Sequence, residues 1–226
     1  MSPNKQTLKR DWKKQRIAER YEIFDKKFYI FCEGKKTEPL YFNGIKKRIE
    51  KNPIYKNNIL IEVDGVGAET LRVLEHAENY VKNNGVSNAE VWIIYDKDSF
   101  PDERFNGVQI RVDQLNLEQS EVEYFVGWSN QCIEYWFILH FDYYDSNNDR
   151  KYYRSYLDRK FHENGLGKYK KNNPQIFEIL KEKGNPDLAV RHAQKRLENC
   201  EGLTPSQKAP ATTVHYLYNK LKRYMQ

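Results

Sequence analysis

Apolar and polar positions follow two different periods along this chain, and the switches between them mark its elements. The run FYIF at 28–31 is uniformly apolar and predicts a strand buried on both faces. A helix is predicted after it, capped by Thr37, with Pro39 at an early helical position and Leu40, Phe42, Ile45 and Ile49 as its apolar contacts. NILIEV at 58–63 predicts the second strand. Beyond Gly65 and Gly67, residues Leu71, Leu74, Ala77, Glu78 and Val81 keep helical spacing, with Glu78 alone on the wrong side, and the NNG at 83–85 stops the helix. AEVWIIYD at 89–96 predicts the third strand. Strand, helix, strand, helix, strand over some 70 residues implies an α/β fold with a parallel sheet and right-handed crossovers.

Past Asp96 the pattern is harder to assign. VQIRV at 108–112 alternates and predicts a fourth strand, whereas the aromatic run QCIEYWFILHF at 131–141 predicts a buried helix, with a strand as the alternative. From about Tyr152 the chain reads as helical and basic, broken at Asn164-Gly165, Asn173-Pro174, Gly184 to Pro186 and Thr204-Pro205. Three parts are expected: a basic N-terminal arm over 1–27, a catalytic core over 28–145, and a basic, mostly helical C-terminal part over 146–226 packed on that core.

Charge sharpens this division. The net charge is +6, yet residues 1–27 hold nine basic and four acidic side chains, residues 150–226 hold seventeen and seven, and the centre twelve and twenty-one. Basic ends beside an acidic centre suit a phosphodiester enzyme, because the ends attract a polyanion while the carboxylates hold a metal ion. Apolar runs such as VWIIY are too short to cross a bilayer, and the basic start has no apolar stretch behind it, so a cytoplasmic location is expected. Cys32, Cys132 and Cys200 lie far apart without a CxxC, and the five histidines show no HExxH. A disulfide framework and a zinc site are therefore not indicated.

The candidate chemistry sits where strands end. Glu33 follows the first strand, with Gly34 permitting a tight turn, and Asp96 and Asp98 follow the third in YDKDSF. A strand order of 2-1-3 would place a topological switch point between the first and third strands, where all three acids can reach one site at the carboxyl ends. Clustered carboxylates call for a cation, and hard oxygen ligands favour Mg²⁺, with Mn²⁺ as a substitute. Other matches fail. Gly65-Val66-Gly67 lacks the third glycine of a dinucleotide fingerprint, Thr70 standing there, and is read as a turn; Gly34-Lys35-Lys36-Thr37 lacks the leading glycine of a P-loop; no Gly-x-Ser-x-Gly elbow occurs.

The runs FYIFCEGKKTEPLYF, WIIYDKDSF, SNQCIEYWFILHF and PATTVHYLYNKL, taken together, resemble the RloB family of TOPRIM-like proteins found beside bacterial anti-phage and restriction loci, over about residues 28–222. The resemblance implies a TOPRIM-like (Rossmann-like) fold, a partner ATPase of the ABC or SMC type encoded nearby, and defence by attack on nucleic acid. It makes Glu33, Asp96 and Asp98 the metal-site candidates, and similarity to the wider OLD-type TOPRIM nucleases adds Glu38 and Glu134 as second-metal or water-positioning acids. This chain departs at Gln131 and Ile133, where the family often has Pro and Phe, swaps that touch packing more than chemistry. Ser129 and Asn130 are candidates to hydrogen-bond Glu134 or a phosphate, while His140 and the tryptophans Trp92, Trp128 and Trp136 read as core.

For phosphate contact the candidates are Lys35 and Lys36 beside the acidic turn and the patch Lys168, Lys170 and Lys171, with Tyr169 among them. The function expected is Mg²⁺-dependent hydrolysis of DNA or RNA, tRNA included, with a lysine steadying the phosphate. Two alternatives accompany it: a non-catalytic sensor or regulatory subunit docked on the ATPase, and an enzyme acting on small nucleotides.

Overall fold

The computed structural model describes residues 24–118 and 121–226. Most of the expected basic arm, residues 1–23, therefore lies outside the described residues; its last two positions belong to the first strand. In chain order the elements are β1 (Lys26–Cys32), α1 (Thr37–Glu50), β2 (Ile59–Gly65), α2 (Thr70–Asn84), β3 (Ala89–Asp96), α3 (Asp102–Leu117), β4 (Val122–Asn130), α4 (Glu134–Ile138), α5 (Arg150–Glu163), α6 (Ile176–Lys183), α7 (Pro186–Glu198), a 3₁₀ turn (Pro205–Gln207), β5 (Ala211–Thr212) and α8 (Val214–Lys222). The sheet order is β2-β1-β3-β4-β5. All pairings are parallel except the short antiparallel β4–β5 seam. This is the α/β class expected from the sequence, a Rossmann-like sheet flanked by eight helices among the described residues.

Because β1 and β3 are covered on both faces, their side chains alternate between two cores. Phe28, Ile30, Cys32, Trp92 and Ile94 face one, whereas Tyr29, Phe31, Val91, Ile93 and Tyr95 face the other. The second core is closed by α2 and α3, through Val73, Leu74, Ala77, Phe105, Val108 and Val112. The first runs without interruption from Phe28 through α1 and α4 to Leu217 and Tyr224, so the C-terminal helices share the core of the sheet. No helix among the described residues is long and apolar enough to cross a membrane.

Three local readings need correction. VQIRV is not a strand; it lies inside α3, where Phe105, Val108, Val112 and Leu115 are buried at helical spacing and Ile110 is left 59% exposed. The fourth strand is VEYFVGWSN, whose alternation is hidden because its last five residues are buried on both faces. The run 131–141 forms only the short helix α4 with turns on either side, and every residue of α4 is buried. Thr37 does not cap α1: it is a helical, buried residue, and the cap position is Lys36, whose carbonyl accepts from the Leu40 N–H at 2.9 Å. Glu78, on the wrong side of α2, has its partner in Arg111 of α3 at 2.8 Å.

Candidate functional site

Parallel strands place their carboxyl ends together, and the loops after them are laced by backbone hydrogen bonds. The Glu33 N–H donates to the Ile94 carbonyl (2.8 Å), Val66 N–H to Cys32 (2.9 Å) and Gly67 N–H to Glu33 (2.9 Å). On the other side, Lys97 N–H donates to Ser129 and Asp98 N–H to Gln131, both at 2.9 Å. The ends of β1, β2, β3 and β4 are thus tied to one another. Asp98 completes the turn after β3 at φ +38, a left-handed conformation that Asp tolerates better than most residues.

These loops enclose a cleft of about 660 Å³ lined by Glu33, Glu38, Asp96, Asp98, Lys35, Lys36, Arg72 and Lys171, among others. The Glu33 carboxylate accepts from the Asp96 N–H at 3.1 Å. Its pKa is nevertheless pushed up to about 7, by burial first and then by the charges of Glu38, Asp98 and Glu69, against the lowering effect of that hydrogen bond. Asp96 is pushed well above the carboxylate range by burial and by repulsion from Glu38, Glu134, Asp98 and Glu33. Glu38, only 5% exposed, is raised by burial and by Glu134, with Lys171 pulling the other way.

Gly34 serves this packing through its lack of a side chain. A Cβ there would stand 2.8 Å from Glu38 Oε1 and 2.9 Å from its carboxyl carbon, so the glycine leaves room for the acid rather than for an unusual φ. Gly67 does take a left-handed φ of +66 and lies against the stem of Lys35. The segment read from the sequence as a plain turn is thus one wall of the cleft.

Beneath the cleft, Glu134 opens α4 at 0% exposure and meets Arg154 Nε at 3.3 Å and Lys171 Nζ at 3.5 Å. Ser129 and Asn130 do not reach it. Ser129 Oγ hydrogen-bonds Thr212 Oγ1 (3.0 Å) and the Asn130 amide donates to the Ser206 carbonyl (2.8 Å), so both stitch β4 to β5 and the 3₁₀ turn. Of the lysine candidates, Lys35, Lys36 and Lys171 line the cleft, whereas Lys168 and Lys170 are exposed outside it. Tyr169 is buried and packs edge-on against Phe137 and Phe161.

Sequence reasoning missed three cations. Arg72, the third residue of α2, lines the cleft. Arg150 and Arg154, four apart on one face of α5, reach Asp98 (2.7 Å) and Glu134. Their i, i+4 spacing in RKYYR is the one signal that could have paired them.

The carboxylates nonetheless remain undersupplied with partners. Asp96 Oδ1, Asp98 Oδ1 and Glu134 Oε2 are buried with no hydrogen bond, a costly state for acceptors. Among the described residues no three Asp, Glu, His or Cys side chains converge as a finished ligand set; Asp98 is drawn to Arg150 and Glu134 to Arg154. Orphaned carboxylate oxygens, mutual repulsion and all-oxygen donors are chemistry that would suit a hard divalent cation, and Glu33, Asp96 and Asp98 are the residues at the strand ends that could hold one.

His140 and His215 stand apart from this chemistry. Both are buried, and burial lowers each to about 4, so they are neutral core residues. Trp92, Trp128 and Trp136 are likewise core.

Residues 28–221 match the family model described as RloB-like protein. No curated protein and no solved structure matches.

Proposed function

The chain belongs to the RloB-like family, and from that premise we propose that it is a metal-dependent nuclease hydrolysing phosphodiesters of DNA or RNA, tRNA included. The observation that carries this reading is the placement of Glu33, Asp96 and Asp98 at adjoining strand ends in one cleft, with Asp96 Oδ1 and Asp98 Oδ1 buried and unpartnered. Mg²⁺ or Mn²⁺ bound there would polarise the phosphodiester and activate the attacking water. The protein's own part is positional. The Asp96 N–H orients the Glu33 carboxylate, and the Glu33 N–H, bonded to the Ile94 carbonyl, ties the end of β1 to that of β3. Lys35, Lys36, Arg72 and Lys171 line the same cleft and offer positive charge to a phosphate and to the charge that develops on it during reaction. Glu38 and Glu134 lie deeper, where Lys171 stands between cleft and core; burial raises Glu38, so it can hold a proton there, while Glu134 is paired with Lys171.

A second reading rests on the cations of α5. Arg150 and Arg154 neutralise Asp98 and Glu134, as expected of a resting state or of a regulatory subunit docked on a partner ATPase. In this proposal the ATPase, encoded nearby and of the ABC or SMC type, releases the acids, and the pair acts as an effector of anti-phage defence. The test is cleavage of plasmid, single-stranded DNA and tRNA with Mg²⁺ or Mn²⁺, with and without that ATPase, by wild type and Asp96→Ala, alongside calorimetric titration of Mn²⁺. Cleavage and Mn²⁺ binding that both vanish in Asp96→Ala support the nuclease. Mn²⁺ binding unchanged by Asp96→Ala, or no cleavage even with the ATPase, gives the docking subunit.

A further inference from the structure

Away from the acid cleft, a groove of about 520 Å³ runs along the outer edge of β4 between α3 and α8. Strand residues direct their backbone groups alternately to the two sides. On the outer side, the Asn116 carboxamide takes both the N–H and the carbonyl of Tyr124, each at 2.8 Å. Farther along, Trp128 N–H donates to Thr213 Oγ1 and its carbonyl accepts from Thr213 N–H, both at 2.9 Å. Val126 lies between them and faces the same side. Its N–H and carbonyl have no hydrogen bond there among the described residues, and Val126 lines the groove.

The opposite wall supplies two more features. Asn219 Oδ1 is buried and unpartnered, and three residues before it on α8 the Tyr216 ring is 49% exposed. Residues three apart share a helix face, and both line the groove. The remaining aromatic surface is already used, since Phe125 is stacked on Trp92 at 4.8 Å and covered by the Lys220 ammonium at 4.2 Å.

We propose that this groove binds an unpaired, amino-bearing nucleobase, stacked on Tyr216, with its ring nitrogen accepting from the Val126 N–H and its amino group donating to the Val126 carbonyl and to Asn219 Oδ1. The Asn116 carboxamide already makes the equivalent donor–acceptor pair two residues away, at Tyr124, so the strand accepts such an edge. A peptide strand does not fit, because a gap of one residue between two occupied positions gives no ladder to extend. The site takes the base rather than the phosphate: Lys220, the one cation among the lining residues, is paired with Glu90 at 2.9 Å, and Asp113 lines the groove as well. The inference is independent of catalysis in the cleft.

The test is calorimetric titration of the full chain in EDTA, which silences a metal-dependent site, with cytidine, adenosine, uridine and purine riboside. Cytidine and adenosine are expected to bind about tenfold more tightly than uridine and purine riboside, which lack the amino group, the worth of about one hydrogen bond. Tyr216→Ala, at an exposed position, weakens cytidine about tenfold, and Asn219→Leu reduces the preference for cytidine over uridine, the Val126 contacts keeping part of it. Circular dichroism melts confirm that both variants fold. Nucleoside binding that matches the monophosphate assigns a free nucleoside or nucleotide; binding only of a short oligonucleotide, lost in its abasic counterpart, assigns a single strand. Either supports the proposal. Absence of both, equal binding of cytidine and uridine, variants that bind as wild type, or saturation by an extended peptide instead overturns it.

Discussion

Two buried polar sites stand side by side at the carboxyl end of the sheet, and they treat their polar atoms in opposite ways. At the β4–β5 seam, Ser129, Asn130, Thr212 and Thr213 are all buried, yet each side chain has a partner. Thr212 Oγ1 meets Ser129 Oγ, the Trp128 carbonyl and the Val214 N–H, while Thr213 Oγ1 accepts from Trp128. In and beneath the acid cleft, Asp96, Asp98 and Glu134 each keep one buried oxygen without a partner. A buried polar group is usually satisfied when its role is to hold the fold. The seam therefore reads as architecture, and the cleft as a place where stability is given up for something that arrives from outside.

The contrast can be broken by substitution. Asp96→Ala is expected to lower divalent-cation-dependent cleavage on the order of 10³-fold, while the urea midpoint measured in EDTA stays level or rises, because a repelled carboxylate is removed. A fall in that midpoint would mean that Asp96 belongs with the seam. Next in size, Arg154→Met leaves the fully buried Glu134 with Lys171 alone and is expected to cost about 2 kcal/mol in urea unfolding, below the full effect of breaking a buried pair because Arg154 is partly exposed. Thr212→Val comes third, costing about 1–2 kcal/mol by stranding the Ser129 hydroxyl and the Val214 N–H, with metal binding untouched. Mn²⁺ affinity that fell with Thr212→Val would join the two sites into one.

The smallest effect is one of sign. Glu33 is raised from 4.5 to about 7 in the fold, so its contribution to stability is present below pH 4.5 and is lost as pH rises through 7. His140 and His215 are lowered from 6.5 to about 4, so theirs is present above pH 6.5 and is lost as pH falls toward 4. Glu33→Gln is then expected to flatten the loss of stability between pH 5 and 8 in EDTA, and His140→Gln the loss between 6.5 and 4. Added Mg²⁺ should raise the melting temperature at pH 8 and leave it unchanged at pH 5, where Glu33, raised to about 7, holds a proton. Differential scanning fluorimetry across that range checks all three.

Legibility followed the reach of each signal. The β1, β2 and β3 strands and their crossover helices are visible because each is a local period between turn residues, and Gly85 ends α2 at a left-handed φ of +59 as the NNG implied. The β4 strand was hidden behind its own double burial, and VQIRV imitated a strand because three alternating apolar residues also fit a helix with one of them, Ile110, facing water. At the site, Glu33, Asp96 and Asp98 were found from their positions after strands. Ser129 and Asn130 were placed with Glu134 because they are near it in sequence; their partners, Thr212 and Ser206, lie more than 70 residues away.

The sequence by itself determined the class of fold, the first three strands and the three acids at the ends of two of them, because periodicity and turn chemistry act over a few residues. Tertiary structure alone decided which cations answer those acids and which oxygens go unanswered. Arg150, Arg154 and Lys171 reach Asp98 and Glu134 from segments 20 to 52 residues distant, and burial, which sets whether a missing partner is costly, is a property of the whole packed core.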